Sequence, residues 1–201
     1  MDGQKRMTGG PQNMRTARVK NRKPAGQTWS DVKMAMTDLD QKHLLKLISD
    51  LYHLSIENQA FLHARFSIGE DPLAPYKKTI GACMYPDVYA DRHIQIAEAK
   101  KAISAYSKAV GDPVGEAELM TFFVECGNSF TVDFGDIDEA FYDALIRMYR
   151  RAIEKVLSLP EDQRAGFRKR LEAIMTSSSH IGWGYHDTLC DDYHEAFGGD
   201  D

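Results

Sequence analysis

The amino-acid sequence predicts an all-α protein: seven to nine short antiparallel helices, arranged as an irregular bundle or as a short HEAT-like stack of helical hairpins. Three observations carry this expectation. Apolar residues recur at three- and four-residue intervals from Trp29 almost to the C-terminus. Val and Ile never form the sustained alternation that a half-buried strand requires. The punctuation is of helical type, with Asp or Ser ahead of apolar runs, Pro in first turns and Gly after last turns. Short connections favour antiparallel neighbours, and the lack of a fixed-period repeat tips the choice towards the bundle.

Ordered structure is expected from Thr28 or Trp29. Asp40 is placed to cap a helix whose inward stripe is Leu44, Leu45, Ile48, Leu51 and Tyr52. Ser55 caps the next, with Ile56, Leu62 and Phe66 inward, until Gly69 breaks the pattern. Asp71-Pro72 reads as N-cap and first helical residue, because proline lacks only an N–H that would be orphaned there. This third helix runs to about Met84, and Tyr85-Pro86-Asp87 turns the chain. Ile96, Ala99, Ile103, Tyr106 and Val110 define another amphipathic helix. Gly111-Asp112-Pro113 then supplies a C′ glycine, an N-cap and a first-turn proline in succession.

The following helix carries Leu119, Phe122, Phe123 and Cys126 and is expected to stop near Gly127. Residues 128–136 read as a loop, with a weakly alternating, extended stretch at Ser129–Phe134. Asp136 or Asp138 opens what should be the longest and most central helix, striped by Phe141, Leu145, Met148, Ala152 and Val156. Pro160 starts a helix with Phe167, Leu171, Ile174 and Met175 inward, ended by the serines at 177–179. A turn at 182–185 leads into a last helix over His186–Phe197. The expected core is Leu45, Ile48, Leu51, Leu62, Ile103, Leu119, Phe122, Phe141, Leu145, Met148 and Leu171.

At 201 residues, 43 % apolar and 27 % charged, the chain suits one domain able to bury a sizeable core without staples. Three widely spaced cysteines, Cys83, Cys126 and Cys190, argue against a disulfide framework and for a reducing, cytoplasmic setting. No run of about 18 apolar residues reads as a membrane span. The basic N-terminus lacks the apolar stretch of a secretory signal.

Charge is segregated. Residues 1–27 hold Lys5, Arg6, Arg15, Arg18, Lys20, Arg22 and Lys23 against Asp2 alone, a net +6, while the rest of the chain carries −11. With no aromatic residue and no apolar period, this segment is expected to be a disordered basic arm that neutralises nucleic-acid phosphates. The bland alternatives are a solvated extension, or a start placed too far upstream with Met7 or Met14 as the true start. The division expected is an arm over 1–27, one helical domain over 28–197 and a disordered acidic tail over 198–201.

Two blocks carry a resemblance. One is Asp50-Leu51-Tyr52, Glu57-Asn58, Phe61 to Phe66, Asp71-Pro72-Leu73 and Pro75-Tyr76-Lys77. The other is Ala99 to Ser104, Gly111-Asp112-Pro113 and Ala117 to Met120. Over roughly Thr28 to Tyr185 the chain resembles an uncharacterised bacterial family. That resemblance implies a bacterial, cytoplasmic protein and carries no catalytic residue with it.

Candidate chemistry is sparse. His186, Cys190 and His194 share a helix face and are metal-ligating types, yet residues eight apart lie about 12 Å apart along the axis, too far for one ion to hold both ends. Asp50 with His53 and Asp191 with His194 echo the carboxylate–histidine pairs of di-metal bundles, but the two further glutamates are not identifiable. Cys126 lies in an apolar stripe and reads as a small hydrophobe. No Gly-rich phosphate loop or nucleophile elbow is present. Tyr76, Lys77, Lys78, Tyr85, Tyr89, Arg92 and His93 cluster along one helix and its following loop, and Tyr and Arg are favoured at interfaces. The expectation is a non-enzymatic helical module without a cofactor, binding another macromolecule, first of all a protein. The alternatives are nucleic-acid association through the arm and a metal-dependent enzyme built on His186, Cys190 and His194.

Overall fold

The computed structural model describes residues 28–198. The basic arm expected over 1–27 and the acidic tail, apart from Gly198, lie outside the described residues. Nine α-helices and one 3-10 turn make up the described part, with no strand among those residues. The chain divides into two compact units, residues 1–48 and 49–201, with the division inside the second helix.

The described part of the first unit holds α1 (Trp29–Thr37) and the start of α2 (Gln41–Leu54). Thr28 and Asp31 form a reciprocal capping box on α1, Asp31 N donating to Thr28 Oγ1 and Thr28 N to Asp31 Oδ2. Asp40 does cap α2, its Oδ1 accepting from His43 N at 2.8 Å. Its stripe is as amphipathic as expected, but no side chain of α1 or α2 is buried. Leu45 and Ile48 are 59 % and 44 % exposed, and Leu51 46 %, so these three do not belong to the core. A helical period identifies an apolar face without saying that anything covers it.

The second unit contains α3 (Ile56–Arg65), α4 (Ala74–Met84), the 3-10 turn Val88–Ala90, α5 (Ile96–Ala109), α6 (Pro113–Phe134), α7 (Glu139–Leu157), α8 (Glu161–Ser177) and α9 (Tyr185–Phe197). Ser55 caps α3, while Ile56 and Phe66 are exposed and Leu62 only half-buried. The Asp71-Pro72 start shifts by a turn: Asp71 Oδ1 accepts from Leu73 N, and the helix proper begins at Ala74 with Pro75 in its first turn. Asp112 and Asp138 cap α6 and α7 as expected, their carboxylates accepting first-turn N–H groups.

The largest departure lies in α6. It continues through Gly127 to Phe134, so residues 128–134 are helix, not loop or strand, and α6 rather than α7 is the longest and central element. Gly127 serves as a contact point here. A Cβ at 127 would sit 2.5 Å from Leu145 Cδ2 and 3.2 Å from Met84 Cε, so the absent side chain lets α7 and α4 close onto α6. The chain finally turns at Gly135, φ +91°, a conformation open to glycine.

α6 packs against α4, α5, α7 and α8, while α9 packs on α7 and α8. One helix touching four others makes a bundle around a central rod, unlike a solenoid in which each repeat meets only its neighbours. Of the expected core, Ile103, Leu119, Phe141, Leu145, Met148 and Leu171 are all buried, and Phe122 is half-buried against them. An ion network braces the outer face of α6. Arg170 on α8 grips Glu125 through two 2.7 Å bonds and also reaches Glu118, which takes a second cation, Lys77 of α4, at 2.7 Å. Burial pushes the Glu118 carboxyl up, but hydrogen bonds from Arg170 and Lys77 outweigh it and hold the group below its ordinary value.

Candidate interaction surface

The Tyr–Lys–Arg cluster expected around α4 is pulled apart by the helix itself. At 1.5 Å per residue, Tyr76 and Tyr85 stand about 13 Å apart along the axis, at opposite ends. Tyr76 lies in the core, its ring edge-on to Tyr106 at 5.3 Å. Lys77 is bound to Glu118 and sits over the Phe122 ring. Lys78 is exposed. Tyr85, Tyr89 and Arg92 lie at the far end, all exposed.

That far end is built by the C-terminal turns of α4 and α6. Phe130 and Phe134 are one helical turn apart on α6, with centroids 4.9 Å apart. Tyr85 meets both edge-on at 5.8 Å, and its hydroxyl donates to Asp133 Oδ2 at 2.7 Å. That donated bond, helped by partial burial and the carboxylate's charge, raises the phenol above its ordinary value and keeps it a donor. Pro86 then turns the chain. Asp87 Oδ1 accepts from Tyr89 N at 3.0 Å, and Asp91 takes a left-handed conformation. These two devices hold a tight turn whose apex, Tyr89, is 94 % exposed.

The turn lies between two shallow grooves. One, about 300 Å³, is lined by Tyr85, Pro86, Asp87, Val88, Tyr89 and Phe134. The other, about 360 Å³, runs along Val88, Asp91, Arg92, His93, Ile94, Phe130 and Ile137. Trp183 stands at the same end of α6. It stacks at 6.3 Å on Tyr142, whose hydroxyl meets Thr131 and Asp136. Its indole is 57 % exposed and its φ is +62°, a strained conformation for a bulky residue.

Elsewhere the side chains are committed to structure. His186 Nδ1 is 3.1 Å from the Met175 carbonyl and 3.0 Å from Ser178 Oγ, while its Nε2 lies 3.5 Å from Cys190 Sγ. His194 Nδ1 donates to the Cys190 carbonyl, so its ring is turned back on its own helix. Among the described residues no three His, Cys, Asp or Glu side chains converge on a metal position. Burial, then the charges of Asp187 and Asp191, pushes the Cys190 thiol up, and burial with Glu125 pushes Cys126 up to about 12. Neither is an activated nucleophile. A larger groove of about 580 Å³ between α7 and α9, lined by Ile153, Leu157 and Ala196 together with Glu154 and Glu195, is crossed by the Arg150–Asp192 ion pair. No helix of the described residues is long and apolar enough to cross a membrane.

The chain matches no family model, no curated protein and no solved structure. Two members of the surface, Phe134 and Trp183, are absent from the sequence-based candidates. Phe130 and Phe134 show the i, i+4 signal only once residues 128–134 are recognised as helix. Trp183 lies in a Gly-Trp-Gly turn whose left-handed backbone no helical period reveals.

Proposed function

We propose that this protein is a non-enzymatic helical module that binds another protein at the end of the bundle formed by Tyr85, Tyr89, Phe134 and Trp183. The observation that carries the reading is the exposure of these rings at one end of a bundle whose core tyrosines, Tyr76, Tyr106, Tyr149 and Tyr185, are buried. Aromatic side chains in a patch flanked by grooves supply contact area at low entropic cost, as interface anchors do. All three cysteines are free, which supports a reducing, cytoplasmic setting. A photo-crosslinking amino acid at position 89 tests the reading, with one at Arg147, exposed on α7, as control. Position 89 is expected to trap a protein that position 147 does not. Equal trapping at both positions, or none at 89, overturns it.

A second reading has its own observation, the +6 charge of residues 1–27. A phosphate-neutralising arm would bind nucleic acid with little sequence preference and a log–log salt slope of about −5 on duplex DNA. Comparing the full chain with one beginning at Thr28 across a salt series tests it. Undiminished binding by the shorter chain removes the arm from consideration.

A further inference from the structure

We propose that the groove between Tyr85, Tyr89 and Phe134 receives an Arg or Lys side chain of the protein partner. This inference rests on the protein-binding reading above and adds the partner's chemistry.

Two independent features agree on the sign of the charge. The first is the rings. Tyr89 is almost wholly exposed, and Tyr85 and Phe134 present partly exposed rings beside it. The face of an aromatic ring attracts a cation and gains nothing from an anion. The second is the fixed charge. Asp87 lines the groove, and Asp133 lies against it through its bond to the Tyr85 hydroxyl. From Cys126 to Ile146 the chain carries Asp133, Asp136, Asp138, Glu139 and Asp143 and no Lys or Arg. The basic residues nearest in sequence, Arg92 and His93, line the other groove, which shares Val88 with this one. A phosphate or a carboxylate would meet repulsion here, so an acidic peptide or a nucleic acid is disfavoured at this position. A guanidinium or ammonium would meet ring faces and carboxylates together, and its apolar stem would cover Val88. At about 300 Å³ the groove suits one long side chain rather than a folded element.

The test uses the full chain and three synthetic peptides of equal length, alternating Leu with Arg, Gln or Glu, read by fluorescence anisotropy at physiological ionic strength. The Arg peptide is expected to bind at least about tenfold more tightly than the Gln peptide, and the Glu peptide not at all. Tyr89→Ala should weaken Arg-peptide binding by roughly 3- to 30-fold, the range of one cation–ring contact. Because the whole body is acidic, Asp191→Asn with Glu195→Gln on α9 serves as the charge control and should leave binding unchanged. The inference is overturned if the Arg peptide does not bind, if Gln binds equally well, or if the α9 variant loses as much as Tyr89→Ala. In those cases a protein trapped by the crosslinker at position 89 keeps the protein-binding reading alive with a partner of other chemistry. No trapped protein removes both.

Discussion

Tyr76, Tyr106, Tyr149 and Tyr185 are at most 5 % exposed, whereas Tyr85, Tyr89 and Trp183 expose 39, 94 and 57 % of their surface. The same residue types do opposite work at the two places. In the core the rings fill space between helices. Tyr106 is wedged edge-on against Tyr76, Tyr149 donates to the Leu171 carbonyl at 3.0 Å, and Tyr185 packs on Tyr142 at 5.3 Å. At the end of α6 the rings are held outward by a capped turn and a strained backbone. Residue type therefore does not separate a buried aromatic from an exposed one; the neighbours on the adjoining helices do.

The largest effect expected from breaking the core side of this contrast is at Gly115. A Cβ there would lie 2.1 Å from the Tyr106 hydroxyl oxygen, and Tyr106 cannot swing away because it is buried against Tyr76. Gly115→Ala should lower the unfolding free energy by about 1–3 kcal/mol, the range for overpacking, despite the better helix propensity of alanine. Urea unfolding measures it, and a stabilised variant would contradict the packing described.

Acid comes next. Burial raises the carboxyls of Glu116 and Glu118, but hydrogen bonds from Lys155 and Ser107, and from Arg170 and Lys77, bring both below the ordinary 4.5. A carboxyl depressed on folding binds its proton more weakly in the folded state. Its stabilisation is fully present above about 4.5 and is lost as the pH falls through the folded value. The urea midpoint should therefore decline below about pH 4.5, and Glu118→Gln should flatten that decline while lowering stability at neutral pH. An unchanged slope in the variant would remove Glu118 as a cause.

A smaller effect separates two buried tyrosines. The Tyr149 hydroxyl has a partner and the Tyr185 hydroxyl has none among the described residues. Tyr149→Phe should cost about 1 kcal/mol by removing the hydroxyl's bond to the Leu171 carbonyl, whereas Tyr185→Phe should be neutral or slightly stabilising. Thermal melts of the two variants side by side check the order.

Much of this was legible in the sequence and the rest fails for identifiable reasons. Caps at Ser55, Asp112 and Asp138 and the stripes of α5, α7 and α8 are local signals, and the structure follows them. Gly127 looks like a stop signal, because glycine breaks helices locally. It is retained mid-helix because Leu145 and Met84 need the space, a tertiary reason that no window of sequence contains. The stripe of α2 is as regular as that of α7. Yet α7 buries Phe141, Leu145 and Met148 while α2 buries nothing, since a pattern names a face and not its cover. The tyrosines grouped around α4 are neighbours in number and separated in space, because a helix of that length carries its two ends apart. The half of the surface contributed by α6 and by the Gly-Trp-Gly turn comes from distant segments, so spacing along the chain could not bring it together.

The central claim is that the rings at the end of α6 are not needed for the fold. Its most direct test is the urea unfolding free energy of a double variant, Tyr89→Ala with Trp183→Gly. The Tyr89 ring is almost fully exposed, and glycine at 183 relieves a left-handed backbone that costs a bulky residue about 1–2 kcal/mol, offsetting the lost stack on Tyr142. The expected result is a stability within about 0.5 kcal/mol of the parent chain. A loss of more than about 2 kcal/mol would mean that these side chains hold the bundle together, and would contradict their assignment to a partner.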